Sequence, residues 1–320
     1  MNREYLEQYS NNRVEELLLD TVGVGALEHA LDLQGKELKR FQKLKQNHGF
    51  DLGPKIDDSW IEGNFPTVKE KVDSFLGVKR IPLPEGCDTF NLFKFNKENL
   101  CLLFQFFYGI IGFTIGGVLV RYDISNEKPI NFIHVFPLQL GCFYLHNLYL
   151  TYRMLNKTSY HPLSRIIRLS KEGEKEAFNA LGHEYTHHLI YSSMGSITRK
   201  QILRMRKFSA FQEGIARGVE RFVSNAFSVE NEDDVFLFDV TDETYGELKS
   251  AYRWLSRKQG FAKRENIIGL ESSIDSDENI SRFFRRKPSV HAMGNTLFYL
   301  RELEEGNQIY RQAWNCELSF

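Results

Sequence analysis

The chain is predicted to adopt an α+β fold, in which a mainly antiparallel sheet packs on a predominantly helical region. Three stretches of different pattern predict this fold. Residues 1–78 repeat apolar side chains at helical spacing, residues 79–168 are rich in β-branched and aromatic side chains, and residues 169–320 are again helical in pattern. We therefore expect a helical N-terminal region at 1–78 and a second domain at 79–320. In that domain the sheet occupies 79–168 and the helices occupy 169–320.

The N-terminal region is predicted to be helical because its apolar residues recur at three- and four-residue steps. The residues that form this pattern are Val14, Leu17, Leu18, Val22, Leu27, Ala30 and Leu31. A stripe of this kind faces a core when the segment is an amphipathic helix. We interpret the region as a helical cap or a pro-segment of the domain that follows.

The sheet is predicted from a series of apolar runs. The expected strands are 90–95, 118–123, 130–136, 142–152 and 165–169. The run 101–120 has no charged residue over its twenty positions, which is long enough to cross a bilayer. Four glycines, at 109, 112, 116 and 117, break it into strand-sized pieces. We therefore expect buried strands here, and a membrane-spanning helix is the alternative.

The overall composition limits the class of partner. The chain has 41 basic and 42 acidic residues, so it has no net field that would attract nucleic acid, and we expect no nucleic-acid partner. Its first residues lack the basic and then apolar pattern of a secretory signal. The four cysteines fit neither a disulfide framework nor a structural zinc site; they are Cys87, Cys101, Cys142 and Cys316. These features predict a cytoplasmic protein with reduced cysteines and no membrane association.

A histidine pair within the C-terminal helical part predicts a metal site. Residues 183–187 read HEYTH, an H-E-x-x-H pattern inside a predicted helix. His183 and His187 are four positions apart, so both imidazoles leave the same helix face and can bind one metal ion. Glu184 can then reach a metal-activated water as a general base without being a ligand.

A second predicted helix supplies the remaining candidate residues. Glu213 is the candidate third ligand, because a catalytic zinc ion takes three protein ligands and keeps one open position. The small residues Gly214 and Ala216 would let the two helices approach closely. Glu220, seven residues after Glu213, returns to the same face and is a candidate hydrogen-bond acceptor for a ligand imidazole. The alternative for both glutamates is a solvent-facing position with arginine partners.

The patterns HEYTHH and EGIARGVE together resemble the gluzincin group of zinc metallopeptidases. They are most similar to small zinc-dependent proteases that have an HEYxHH helix and an EGxA helix, and the match covers residues 181–221. The resemblance implies a zincin-like catalytic region with one Zn²⁺ per chain, bound by His183, His187 and Glu213, and peptide bonds as the substrate. His291 lies three residues before Gly294, where related enzymes have a tyrosine that steadies the oxyanion. The resemblance therefore implies that His291 donates to the oxyanion.

The sequence thus predicts a zinc metallopeptidase that acts on a peptide or protein substrate. In this prediction Glu184 is the general base, and a strand between 118 and 150 pairs with the substrate backbone. Two alternatives remain open. One is a zinc-binding protein that serves as a non-catalytic regulatory or interaction module. The other is a protease anchored in a membrane through residues 101–120.

Overall fold

The structure is a computed structural model that describes residues 1–48, 51–89, 97–126, 129–130, 132–155, 158–170, 173–195, 198–258 and 287–320. It is mostly helical, at 76%, with one small mixed sheet of three strands. The helices are α1 Arg3–Glu7, α2 Asn11–Thr21, α3 Val24–His48, α4 Asp58–Leu76, α5 Lys97–Ser125, α6 Phe132–Leu155, α7 Glu174–Ser192, α8 Arg199–Met205, α9 Ser209–Asn231, α10 Val235–Lys258, α11 Val290–Glu305 and α12 Gln308–Trp314. The strands are β1 Gly86–Thr89, β2 Ser159–His161 and β3 Ile166–Leu169, in the spatial order β1–β3–β2.

The mainly antiparallel sheet expected at 79–168 is wrong for most of that range, because α5 and α6 occupy it. Of the predicted strands, 165–169 corresponds to β3, and 90–95 lies outside the described residues. The predicted strands 118–123, 130–136 and 142–152 fall on α5 and α6 or on the residues beside them. Phe, Ile and Val favour strands because they fit a pleated, half-buried surface, so their strand preference depends on the surroundings. A coarse α+β description therefore holds, with far more helix and less sheet than expected.

The chain divides into two compact units. The larger unit comprises Met1–Asp88, Tyr160–Ile167 and Glu172–Phe320, and the smaller unit comprises Thr89–Ser159 and Arg168–Lys171. Helices α1–α4 of the N-terminal region thus belong to the same compact unit as α7–α12. The division into a region at 1–78 and a domain at 79–320 stays a prediction.

The core of the larger unit is built from large side chains on packed helices. Helix α9 packs on α7, α10 and α11, and α3 packs on α10. All seven apolar residues that form the N-terminal stripe are buried, so the helical spacing of 1–31 does face a core. Aromatic rings are prominent: Tyr9 stacks on Phe211 with centroids 4.4 Å apart, and Phe178 lies 4.1 Å from Phe227. Aromatic pairs at such distances add to the stabilisation that burial of their apolar surface gives.

Two glycines allow α9 and α11 to pack with their backbones in contact. A Cβ atom on Gly294 would overlap the carbonyl oxygen of Ala210, and one on Gly214 would overlap the ring of Phe298. Because neither residue has a Cβ, the two helices cross more closely than larger residues allow. This crossing brings the N-terminal turn of α11 beside the first half of α9.

The smaller unit contains an antiparallel pair of long helices, α5 and α6, which we call the hairpin. Its direction follows from the contacts, since Gly109 lies against Leu145, Gly112 against Gly141, and Gly116 against Leu138. A Cβ on Gly112 would come within 3.0 Å of the Cα of Gly141. Three of the four glycines predicted to interrupt strands therefore line the contact between two helices, whereas a Cβ on Gly117 would have nothing within 4 Å.

Candidate metal centre

Helix α7 places the two histidines of the H-E-x-x-H pattern on one face. The Nε2 atoms of His183 and His187 lie 3.2 Å apart. Both side chains are nearly buried, with 11% and 12% of their surface exposed. Gly182, just before His183, faces Val223 of α9, so the two helices pack tightly at this level. The four-residue spacing therefore gives the geometry expected from it.

Helix α9 brings Glu213 to the same point. Its Oε2 atom lies 3.3 Å from His183 Nε2, and its Oε1 atom lies 3.5 Å from His187 Nε2. One ligating atom from each of the three residues falls within 4.8 Å of the other two. The structure thus brings together His183, His187 and Glu213, which the sequence separates by 25 residues between His187 and Glu213.

The charge state of this cluster is set by competing effects. Burial alone would raise the pKa of Glu213, but His187, His183 and His291 hold the pKa of its carboxyl well below the ordinary value. Burial lowers the pKa of His183, but the carboxylates of Glu213 and Glu220 raise it well above the ordinary value. The close contact thus favours the negatively charged carboxylate and the positively charged imidazole.

The Glu213 carboxylate is buried and meets imidazole nitrogens at ion-pair distance. Its Oε2 atom lies 3.0 Å from His291 Nδ1 and 3.3 Å from His183 Nε2, although neither contact has the geometry of a hydrogen bond. Buried carboxylate oxygens need such partners, because burial without a partner costs about 1–3 kcal/mol or more. A carboxylate placed among imidazole nitrogens at these distances can serve as a metal ligand.

Glu220 lies behind His183 and is held in turn by an arginine. His183 Nδ1 is 3.1 Å from Glu220 Oε2, and Arg217 donates to the same oxygen at 2.7 Å. Arg217 also pairs with Glu243 and Glu247 of α10. Burial raises the pKa of Glu220, but Arg217 and His183 lower it to about 2. A Glu220 that stays ionised accepts from His183 Nδ1 and so directs Nε2 toward Glu213.

The arginine pairing of Glu220 was expected only as the alternative to a site role. The structure combines the two, since Glu220 is buried and contacts both Arg217 and His183. The contribution of α10 was missed entirely. No spacing in the sequence relates Arg217 to Glu243 and Glu247, which lie 26 and 30 residues further along the chain.

Glu184 is buried next to the cluster. Burial raises the pKa of its carboxyl, and the neighbouring His183 and His187 oppose this effect in part. The backbone N–H of Tyr160, in strand β2, donates to the Glu184 carboxylate. A buried carboxyl with a raised pKa has the character of a general base, which must be able to gain and lose a proton.

His291 occupies the first turn of α11, where Ser289 caps the helix by accepting from Ala292 N. Its ring remains 45% exposed, while its Nδ1 atom faces Glu213 Oε2. The Glu213 carboxylate raises the pKa of His291, although burial opposes this. The structure therefore brings His291 to the cluster, in contact with the candidate third ligand.

One further tyrosine, Tyr191, lies near the cluster. The sequence did not single it out, although it follows His187 by four residues and so continues the His183–His187 face. Burial and the negative charge of Glu213 raise its pKa. Tyr252 and Tyr299, which the sequence offers as weaker candidates for the oxyanion role, contact other residues: the Tyr252 hydroxyl donates to Glu28, and the Tyr299 hydroxyl accepts from Gln34.

Comparisons with protein-family models, with curated proteins and with solved structures found no match to this chain. The chemistry of the cluster is therefore inferred from its own residues, and the gluzincin resemblance stays an expectation. What the structure itself provides is the group of His183, His187 and Glu213, with the buried Glu184 beside it and His291 in contact with the Glu213 carboxylate.

Proposed function

We propose that the chain is a zinc-dependent peptidase of the gluzincin type, with a zincin-like catalytic region formed by α7, α9 and α11. His183, His187 and Glu213 bind one Zn²⁺, and the substrate is a peptide or protein. The observation that carries this proposal is the nearly buried cluster of His183, His187 and Glu213, in which one ligating atom of each residue lies within 4.8 Å of the other two.

The spacing of the donor atoms fits zinc. Ligand bonds of about 2.0–2.1 Å in a tetrahedral site place neighbouring donor atoms roughly 3.3–3.4 Å apart. The two Nε2 atoms lie 3.2 Å apart, and each is close to one oxygen of the Glu213 carboxylate: His183 is 3.3 Å from Oε2 and His187 is 3.5 Å from Oε1. Two imidazoles and one carboxylate are also the donor set of catalytic zinc sites, which keep a fourth position open.

Zinc, when bound, supplies a Lewis acid that polarises a carbonyl group and lowers the pKa of a water molecule. The chain's own residues supply the rest of the chemistry. Glu184 takes the proton of the attacking water and passes it to the leaving amine, which needs a carboxyl that can change its protonation state. Glu220 and Arg217 fix the tautomer of His183, so that its Nε2 stays directed at the site.

His291 is proposed to donate to the oxyanion of the tetrahedral intermediate. Its Nδ1 faces Glu213, and the exposed part of its ring is available to a substrate. The neighbouring carboxylate favours the protonated imidazole, which donates from both nitrogens. Tyr191 is a second candidate for the same role, because it lies on the metal-facing side of α7.

The substrate-binding strand cannot lie between 118 and 150, because those residues belong to the α5–α6 segment. Strand β2 is the better candidate, since it is at the edge of the sheet and its Tyr160 N–H reaches Glu184. Edge strands bind extended peptides through backbone hydrogen bonds. We therefore propose that the substrate backbone lies along β2.

The experiment compares metal content and peptide cleavage in five purified proteins. They are the wild type, His183→Ala, Glu213→Ala, Glu184→Gln and the surface variant Glu304→Gln, which is the matched control. The readouts are zinc per chain and cleavage of a synthetic peptide library followed by mass spectrometry. We expect about one zinc per chain in the wild type, with loss of zinc in both alanine variants.

The glutamine variants separate catalysis from metal binding. We expect Glu184→Gln to keep its zinc and to lose cleavage by about 10²–10⁴-fold, while Glu304→Gln behaves like the wild type. A wild type without zinc after reconstitution would overturn the metal site. Zinc binding with no cleavage that depends on Glu184 would overturn the peptidase and favour a zinc-binding interaction protein.

A further inference from the structure

The outward face of the hairpin is apolar around most of its circumference. On α5 the exposed large apolar side chains among the described residues are Leu103, Phe104, Phe106, Phe107, Tyr108, Ile110, Ile111, Phe113, Ile115, Val118, Tyr122 and Ile124. At about 100° per residue, these positions cover an arc of roughly 220°. A helix that packs on a protein core shows the opposite pattern, with a single apolar stripe facing inward and polar residues outside.

The inner face of the hairpin is formed by small residues. Gly109, Gly112 and Gly116 of α5 share the remaining arc and face α6, where Gly141 lies against Gly112. Close packing through small residues, with bulky side chains directed outward, is typical of helices in lipid. In water this arrangement would leave most of the large apolar side chains of the hairpin exposed.

The length and charge of the hairpin match a bilayer. Helices α5 and α6 have 29 and 24 residues, or about 44 and 36 Å at 1.5 Å per residue, against roughly 30 Å of hydrocarbon. No Asp, Glu, Lys or Arg occurs at 101–120 or at 129–152. Within the described residues, Leu103–Ser125 of α5 is the one segment apolar and long enough to span a membrane by composition, and only 11% of its most apolar part is buried; α6 has the length but is less apolar.

Some polar groups of the hairpin are paired within it. Asp123 is buried and its carboxylate lies 2.7 Å from His134 Nδ1, close to the turn between the helices. Asn147 donates to the carbonyl oxygen of Phe143 one turn earlier. Internal pairing of this kind is required where no water is available.

We propose that α5 and α6 form a helical hairpin that inserts into a lipid bilayer, with the hydrocarbon interior as the partner of its outer surface. A second copy of the chain or another protein would cover one face of such a pair, whereas lipid covers the whole circumference. This inference is independent of the zinc site, and it replaces the expectation that 101–120 forms buried strands without membrane association.

The experiment tests where the full chain resides. The chain is expressed in bacteria, cell membranes are floated through a sucrose gradient so that aggregates sediment, and the floated fraction is extracted with alkaline carbonate. We expect the wild type to float with the membranes and to resist extraction. Recovery in the soluble fraction, release by carbonate, or sedimentation as aggregate would each overturn the proposal.

A matched pair of double variants identifies the surface responsible. Ile111→Lys with Phe143→Lys places two charges on exposed positions of α5 and α6, which are 52% and 61% exposed. Leu203→Lys with Val229→Lys makes the same exchange at exposed positions of the larger unit, which are 56% and 70% exposed. We expect the hairpin variant to lose at least roughly ten-fold of its floated fraction, and the control to keep it. Equal flotation of the two variants would contradict a lipid-facing hairpin, whatever the zinc and peptidase measurements give.

Discussion

The larger unit and the hairpin use the same kinds of residue in opposite places. In the larger unit, rings such as Phe211 and Phe298 are fully buried, and the hairpin exposes half of Phe113 and of many similar side chains. In the hairpin, glycines lie where the two helices touch. The comparison teaches that hydrophobicity alone does not define a core, because the side of a helix on which the large residues lie depends on the solvent around it.

The largest expected difference between the two regions concerns phenylalanine. Phe211→Ala removes a buried ring that contacts Tyr5, Tyr9 and Phe298, so we expect a loss of about 3–5 kcal/mol in the free energy of unfolding. Phe113→Ala removes a ring that faces outward, and in lipid or detergent the effect should stay below about 1 kcal/mol. Thermal unfolding of both variants in detergent micelles measures the difference, and equal losses would contradict the comparison.

The glycines of the hairpin provide the second test. A leucine at Gly116 meets the backbone of Leu138, while a Cβ at Gly117 meets nothing within 4 Å. We expect Gly116→Leu to destabilise the protein by about 3 kcal/mol through overpacking. Gly117→Leu should stabilise the helix by up to about 1 kcal/mol, because leucine has the higher helix propensity. The same micelle assay applies, and a hairpin that tolerates both leucines would not be packed through its glycines.

A third test concerns buried charge, which the larger unit concentrates around the candidate metal centre. Glu220→Gln keeps the shape of the side chain but weakens its hold on His183 Nδ1. We expect zinc affinity to fall by about 10- to 100-fold, or roughly 1.4–2.8 kcal/mol. Competition with a fluorescent chelator measures the affinity.

The matched control for this change is Glu302→Gln. Glu302 is another partly buried glutamate of the larger unit, and it pairs with Arg221 and accepts from the Tyr310 hydroxyl. The Glu302→Gln substitution should destabilise the fold without changing zinc affinity. If both variants weaken zinc binding equally, the effect of Glu220 is a general loosening of the unit and not the orientation of His183.

The sequence predicted those features that depend on spacing along one helix. The four-residue step from His183 to His187 requires that both rings share a face, and the apolar stripe from Val14 to Leu31 requires a buried side. Those two inferences needed no knowledge of the surroundings beyond a helix. Glu213 was the candidate third ligand because a catalytic zinc ion needs three protein ligands, and the resemblance supported it; the structure does bring Glu213 to the two histidines.

The features that were missed depend on contacts between distant parts of the chain or on the solvent. The run of Phe, Ile, Val and Gly between 101 and 120 is compatible with a strand in a core and with a helix in lipid, and periodicity does not separate them. The approach of Tyr160 N–H to Glu184 requires that β2 reach α7, which no local pattern encodes. The same holds for Arg217 and its partners on α10.

The close crossing of α9 and α11 at Gly294 fixes the distance between His291 and the metal cluster. Because a backbone carbonyl, and no side chain, fills the gap at Gly294, rotamer changes there cannot absorb a displacement of α11. His291 lies three residues before this contact, so its distance from Glu213 is set by the backbone contact between the two helices. A methyl group at position 294 would therefore push α11 away from α9. The distance from His291 to Glu213 would increase, while His183, His187 and Glu213 would keep their positions.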